Sequence, residues 1–127
     1  MSNIIYYLLL GLTIITNAGG GLLMKIGART VSFGQGGSIV ETIKTLILNW
    51  QLILGIFSYG LSFVFATLVY TKISLNIAYP IMVGTSFLLI SLASLVFLKE
   101  QFTPIQVLGS VFLVIGIFMI GVNLKEG

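Results

Sequence analysis

The sequence has no cysteine and no histidine, and only 3 acidic residues among 127. Without cysteine, disulfides, thiol nucleophiles and thiolate metal sites are excluded. Without histidine, the commonest general base and transition-metal ligand is missing. The acids are Glu41, Glu100 and Glu126, and all lie outside the apolar runs, so no pair of catalytic carboxylates and no acidic metal cage can form. Charged residues make up 7% of the chain, against roughly a quarter in soluble domains. The net charge of +3 is small and scattered, which gives nucleic acid no footing. Gly34-Gln35-Gly36-Gly37 lacks the lysine of a nucleotide-binding loop and a preceding soluble-type strand. An enzyme has no base, nucleophile or metal set to work with, and no cofactor is implied.

Apolar sequence fills the chain instead: 57% of residues are hydrophobic and the mean hydropathy is +1.16. Four long apolar runs cover residues 4–28, 50–71, 75–98 and 104–124, and a shorter amphipathic stretch covers about 38–48. A rise of about 1.5 Å per residue carries each long run across a hydrocarbon core of about 30 Å. The expectation is an all-α integral membrane protein: four transmembrane helices and a short interfacial helix in one domain, residues 1–127, in the plasma (inner) membrane. The first run could be a cleaved signal peptide, but nothing basic precedes Ile4, so it reads as a mature helix.

Polar and small residues mark where these helices depart from plain lipid anchors. In the first run, Thr13 and Thr16 can bond to their own helix, whereas the amide of Asn17 needs more partners than one helix offers. Gly19-Gly20-Gly21 lets another backbone come close. Lys25 and Arg29 follow one turn apart. They read either as cations snorkelling to the interface or as a binding pair for a headgroup or phosphate. Ser38 and Glu41 match a capping box, and Ile39, Ile43, Leu46 and Ile47 form the stripe of an interfacial helix. Asn49-Trp50-Gln51 breaks it from the second span, which carries Ser58, Tyr59 and Ser62. The link from Thr71 to Ser74 is short enough to demand a tight antiparallel hairpin.

The third run opens with the most informative stretch, residues 75–84. Pro80 cannot donate to the Asn76 carbonyl, and Asn76, Tyr79, Val83 and Ser86 share one helical face. One reading is a substrate-facing stripe with a hinge at Pro80 and Gly84. The other is a proline kink near a helix start with its polar groups at headgroup level. Thr103 and Pro104 open the last span as N-cap and first helical residue. Gly109 and Gly116, at heptad spacing, read as a helix-association seam. Lys25, Arg29, Lys44 and Lys99 fall on one side of the membrane. Lys72, Lys125 and the amino terminus fall on the other, a thin margin that leaves insertion in both orientations open.

From Ser62 onward the sequence resembles the small multidrug resistance transporters of the drug/metabolite transporter superfamily. The residues that carry the likeness are Ser62-Phe63, Ile77-Ala78-Tyr79, Gly84, Leu89-Ile90-Ser91-Leu92 and Gly109 with Gly116, with Leu23-Met24-Lys25 at the end of the first helix. The resemblance implies four helices per subunit and a dimer that is often antiparallel. It also implies alternating access to a cavity formed by helices one to three. Counted back from Lys25, the family's first-helix glutamate falls at Asn17, and its aromatic cation cage is reduced to Tyr79, with Val64 and Met82 in the other places. Pro80 after the tyrosine is similar instead to flippase subunits that move aminoarabinose-linked undecaprenyl phosphate, and to other EamA-like members.

These features lead to a membrane transporter or flippase that works as a dimer on a polar or anionic substrate, for instance a polyprenyl-phosphate-linked sugar. The substrate-binding residues expected are Asn17, Lys25, Arg29, Ser62, Asn76, Tyr79 and Met82. The partners expected are membrane lipid, the small-molecule or lipid-linked substrate and a second copy of the chain. Two alternatives stand beside this: a proton-coupled exporter of cations, and a non-transporting membrane subunit that stabilises a partner.

Overall fold

The computed structural model describes residues 2–31, 36 and 38–122. The described residues form helices α1 (Ser2–Ala28), α2 (Ile39–Leu48), α3 (Trp50–Tyr70), α4 (Leu75–Phe97) and α5 (Pro104–Gly121). All but α2 are long and apolar enough to cross a membrane. The protein is thus all-α, with four spans. Most of the loop after Thr30, and the stretch beyond Val122 that holds Lys125, lie outside the described residues.

Local signals set the helix ends. At α5, the Thr103 hydroxyl accepts the Gln106 N–H at 3.2 Å and the Gln106 side chain accepts the Thr103 N–H at 2.9 Å. Pro104 takes the first position, where no amide proton is needed. The capping box expected at α2 is half formed among the described residues: Ser38 accepts from the Glu41 N–H at 3.2 Å, with no return bond. Asn49 does more than break α2 from α3. Its Oδ1 accepts the amides of Gln51 and Leu52, while its Nδ2 donates to the Gly27 carbonyl and to Thr30 Oγ1. One side chain therefore caps α3 and ties it to the end of α1. The α4–α5 turn depends on Lys99, whose φ of +55° lies in the left-handed region, and the Glu100 amide returns to the Ser94 carbonyl at 3.1 Å.

Helix α1 is the centre of the bundle. α3 packs antiparallel along one side of it and α4 parallel along another, while α3 and α4 barely touch one another and α5 touches α4 alone. Glycine brings α1 and α3 together: a Cβ on Gly20 would stand 3.1 Å from the Gly55 carbonyl oxygen, and one on Gly55 would stand 3.3 Å from that of Gly20. Hydroxyls then fasten the helices to the backbone of α1. Ser58 and Ser62 donate to the carbonyls of Thr16 (2.5 Å) and Thr13 (3.4 Å), and Ser86 donates to that of Ile14 (3.4 Å). Thr13 and Thr16 bond back to Leu9 and Leu12 of their own helix. The buried apolar core gathers at the α3–α4 hairpin, from Leu10, Val69, Ile73, Ala78, Ile81 and Met82.

A cleft over helix α1 as the candidate functional site

α3 and α4 both lean on α1 but hardly on each other, so one face of α1 lies between them as a shared floor. Gly21 marks that floor. A Cβ there would stand 2.8 Å from Ile90 Cδ1 of α4 and 3.3 Å from the Tyr59 hydroxyl of α3. The Tyr59 ring packs on Gly20, with its Cδ2 3.1 Å from where the glycine's Cβ would be, and its hydroxyl reaches over Gly21 toward Ile90 of α4. Asn17 precedes Gly21 by four residues on the same row, about 6 Å away. It is half-buried, and among the described residues nothing hydrogen-bonds to its carboxamide. An amide at membrane depth that finds no partner in its own chain is left to bond to water, a second chain or a substrate. The face of α1 between α3 and α4 therefore carries two uncharged polar groups, Asn17 and Tyr59.

The other expected site residues do not converge on this point. Ser62 is 5% exposed and its hydroxyl is spent on the Thr13 carbonyl; Met82 is 3% exposed and packs into the hairpin core. Asn76, Tyr79 and Pro80, with Leu75, line an open hollow of about 700 Å³ at the start of α4. α4 continues unbroken through Pro80. The stripe divides, since Asn76, Tyr79 and Val83 are exposed while Ser86 is buried against α1. Gly84 is filled by its neighbour: a Cβ there would fall 2.5 Å from Ile117 Cδ1, so Gly84 is the seat on which α5 packs.

Lys25 and Arg29 sit at the opposite end of the bundle, against the α4–α5 turn. Lys25 Nζ lies 3.7 Å from Glu100 Oε1, and Arg29 Nη2 donates to the Leu98 carbonyl at 3.2 Å. Nearly the full length of α4, about 33 Å at about 1.5 Å per residue, separates Asn76 from Leu98. The polar start of α4 and the basic pair thus belong to opposite membrane faces. Gly109 and Gly116 have nothing within 4 Å of their Cβ positions, so their side of α5 is open.

Sequence reasoning noted Tyr59 and Asn49 but gave neither a place among the site residues. For Tyr59 the signal was present, since three consecutive glycines on one helix make room for a ring from another. It became readable only once the Ser58–Thr16 bond fixed the register of α3 against α1. Residues 36–115 match the model of the family described as Small Multidrug Resistance protein, and no solved structure matches the chain. The matched stretch takes in α2, α3, α4 and most of α5; α1, with Asn17, precedes it.

Proposed function

The chain belongs to the small multidrug resistance family, a family of small membrane transporters, and from that premise we propose that it carries a polar or anionic substrate rather than a cationic drug. It is an integral multi-pass membrane protein, and transport is the activity its family implies. The observation that carries the proposal is the uncharged cleft floor of Asn17 and Tyr59. None of the described spans contains an acidic residue. A cation held in a low-dielectric cleft without a counter-charge costs several kcal/mol on the order given for buried ions. Proton coupling through α1 would need a side chain that titrates, and an amide does not. Neutral donors and acceptors suit hydroxyl, amide or phosphate groups instead, as in a polyprenyl-phosphate-linked sugar moved by a flippase.

A homodimer is part of this reading, since members of the family work as dimers. An antiparallel pair would place the Asn76–Tyr79–Pro80 hollow of one copy on the same membrane face as Lys25 and Arg29 of the other. Alternating access would use Pro80 as the hinge of α4. Lys25 and Arg29 would exchange Glu100 and the Leu98 carbonyl for a substrate phosphate as the turn lifts. The readings as a cation exporter and as a non-transporting partner subunit predict different behaviour in reconstituted vesicles. The first predicts uptake of tetraphenylphosphonium, the second predicts neither uptake nor flipping. We expect flipping of a short-chain polyprenyl-phosphate sugar, reduced severalfold by Lys25→Ala and partly restored by Lys25→Arg, with protein level and dimer unchanged. Normal flipping by Lys25→Ala would leave that lysine a snorkelling cation only.

A further inference from the structure

A second cavity lies outside the cleft, in the gap between α1 and α5. These helices do not touch; both lean on α4, and the gap between them encloses about 620 Å³. Its walls are mostly apolar, with Leu22 of α1, Ile90 of α4 and Leu113 of α5 set among the hydroxyls of Ser91, Ser94 and Ser110, whereas its end at the α4–α5 turn carries Lys25, Glu100 and Gln106. We propose that this groove holds one membrane phospholipid with a phosphoethanolamine headgroup, its chain against the apolar walls and its headgroup between Lys25 and Glu100.

Charge complementarity selects the occupant. The ammonium of Lys25 and the carboxylate of Glu100 stand 3.7 Å apart, too far for a hydrogen bond, and their side chains are 55% and 41% exposed. Each keeps its bonding capacity and can be reached. A phosphoethanolamine headgroup supplies the matching pair: its phosphate accepts from Lys25 and its primary ammonium donates to Glu100. A phosphoglycerol headgroup brings a phosphate beside the Glu100 carboxylate with no cation of its own to offset the repulsion. A phosphocholine headgroup carries a positive charge but has no N–H to donate. The left-handed Lys99 closes the end of α4, and with the return of the Glu100 amide to the Ser94 carbonyl it places the Glu100 backbone at the mouth of the groove.

The test is native mass spectrometry of the purified, delipidated protein with equimolar dioleoyl phosphatidylethanolamine, phosphatidylcholine and phosphatidylglycerol. We expect the ethanolamine lipid to be retained severalfold over the other two. Glu100→Gln should bring the ethanolamine and glycerol lipids to parity, and Leu113→Trp, which fills the groove, should reduce retention of all three. Glu41→Gln, on α2, should leave the preference intact. Thermal melting in the same detergent separates these effects from misfolding. Equal retention by the unaltered protein, a preference for the glycerol lipid, or an ethanolamine preference that survives Glu100→Gln would each overturn the proposal. Lys25 is also the residue the proposed function gives to a substrate phosphate; the two readings are told apart because these readouts need no transport and turn on Glu100 and Leu113, whereas that reading turns on flipping by Lys25→Ala.

Discussion

Helices α1 and α5 are both apolar enough to span a membrane, yet the bundle treats them in opposite ways. α1 buries Leu10, Thr13, Ala18, Gly20 and Gly27 and is held by hydroxyls donated from two other helices. α5 buries nothing and rests on α4. Hydrophobicity alone does not decide this, since α3 is as apolar as α5 and is nevertheless packed along α1. What does is the glycine on α1 that lets α3 close to backbone contact, together with serines on α3 and α4 placed to meet carbonyls of α1. In lipid, where tails are as apolar as leucine, close packing and interhelical hydrogen bonds decide which helices associate. α1, α3 and α4 therefore associate within one chain, with the Asn17 amide still to be partnered, and α5 is left for lipid or a second copy.

The sharpest break of this contrast is at Gly20. A valine there must displace the Gly55 carbonyl and the Tyr59 ring, both at 3.1 Å, and backbone cannot yield cheaply. Overpacking of this kind costs about 1–3 kcal/mol, and the upper end is expected here. Thermal unfolding in detergent should show it, together with a loss of folded protein on expression.

Gly84 tests the weaker joint. The atom in its way is the far end of Ile117, so Gly84→Ala should cost less than Gly20→Val, whereas Gly84→Leu should push α5 off α4. Adding Ile117→Ala to Gly84→Leu should recover much of the loss, a coupling that a double-mutant cycle reads directly. Independent, additive effects at the two positions would mean that α5 is not seated there.

Gly116 should show the smallest effect on folding and a clear one on assembly. With nothing within 4 Å, Gly116→Leu should change unfolding by no more than about 0.5 kcal/mol, as surface substitutions do. The dimer fraction by native mass or crosslinking should nevertheless fall severalfold. An undiminished dimer would move the seam away from this face.

The sequence carried the four spans, the short helix after the first loop and the Thr103–Pro104 start of α5, because each is written in local chemistry: apolar length, capping side chains, proline position. It carried the site only in part. Asn17 was legible, since an amide in an apolar run is costly wherever the run ends up. Tyr59 was not, because its role comes from the register of α3 on α1. Ser62 was singled out by its polar spacing and Met82 by the family resemblance; both are buried, Ser62 donating to the Thr13 carbonyl and Met82 packing in the hairpin core. Lys25 and Arg29 looked like free cations because their partners, Glu100 and the Leu98 carbonyl, are some seventy residues away in the chain.

The central claim is that the cleft lacks the charge a cation exporter needs, and tetraphenylphosphonium binding measured across pH tests it most directly. The unaltered protein should bind this cation negligibly at every pH. Asn17→Glu should create affinity. Binding should be full where the new carboxyl is ionised and vanish as pH falls and the carboxyl takes up its proton. Tight, pH-dependent binding by the unaltered chain would contradict the account outright.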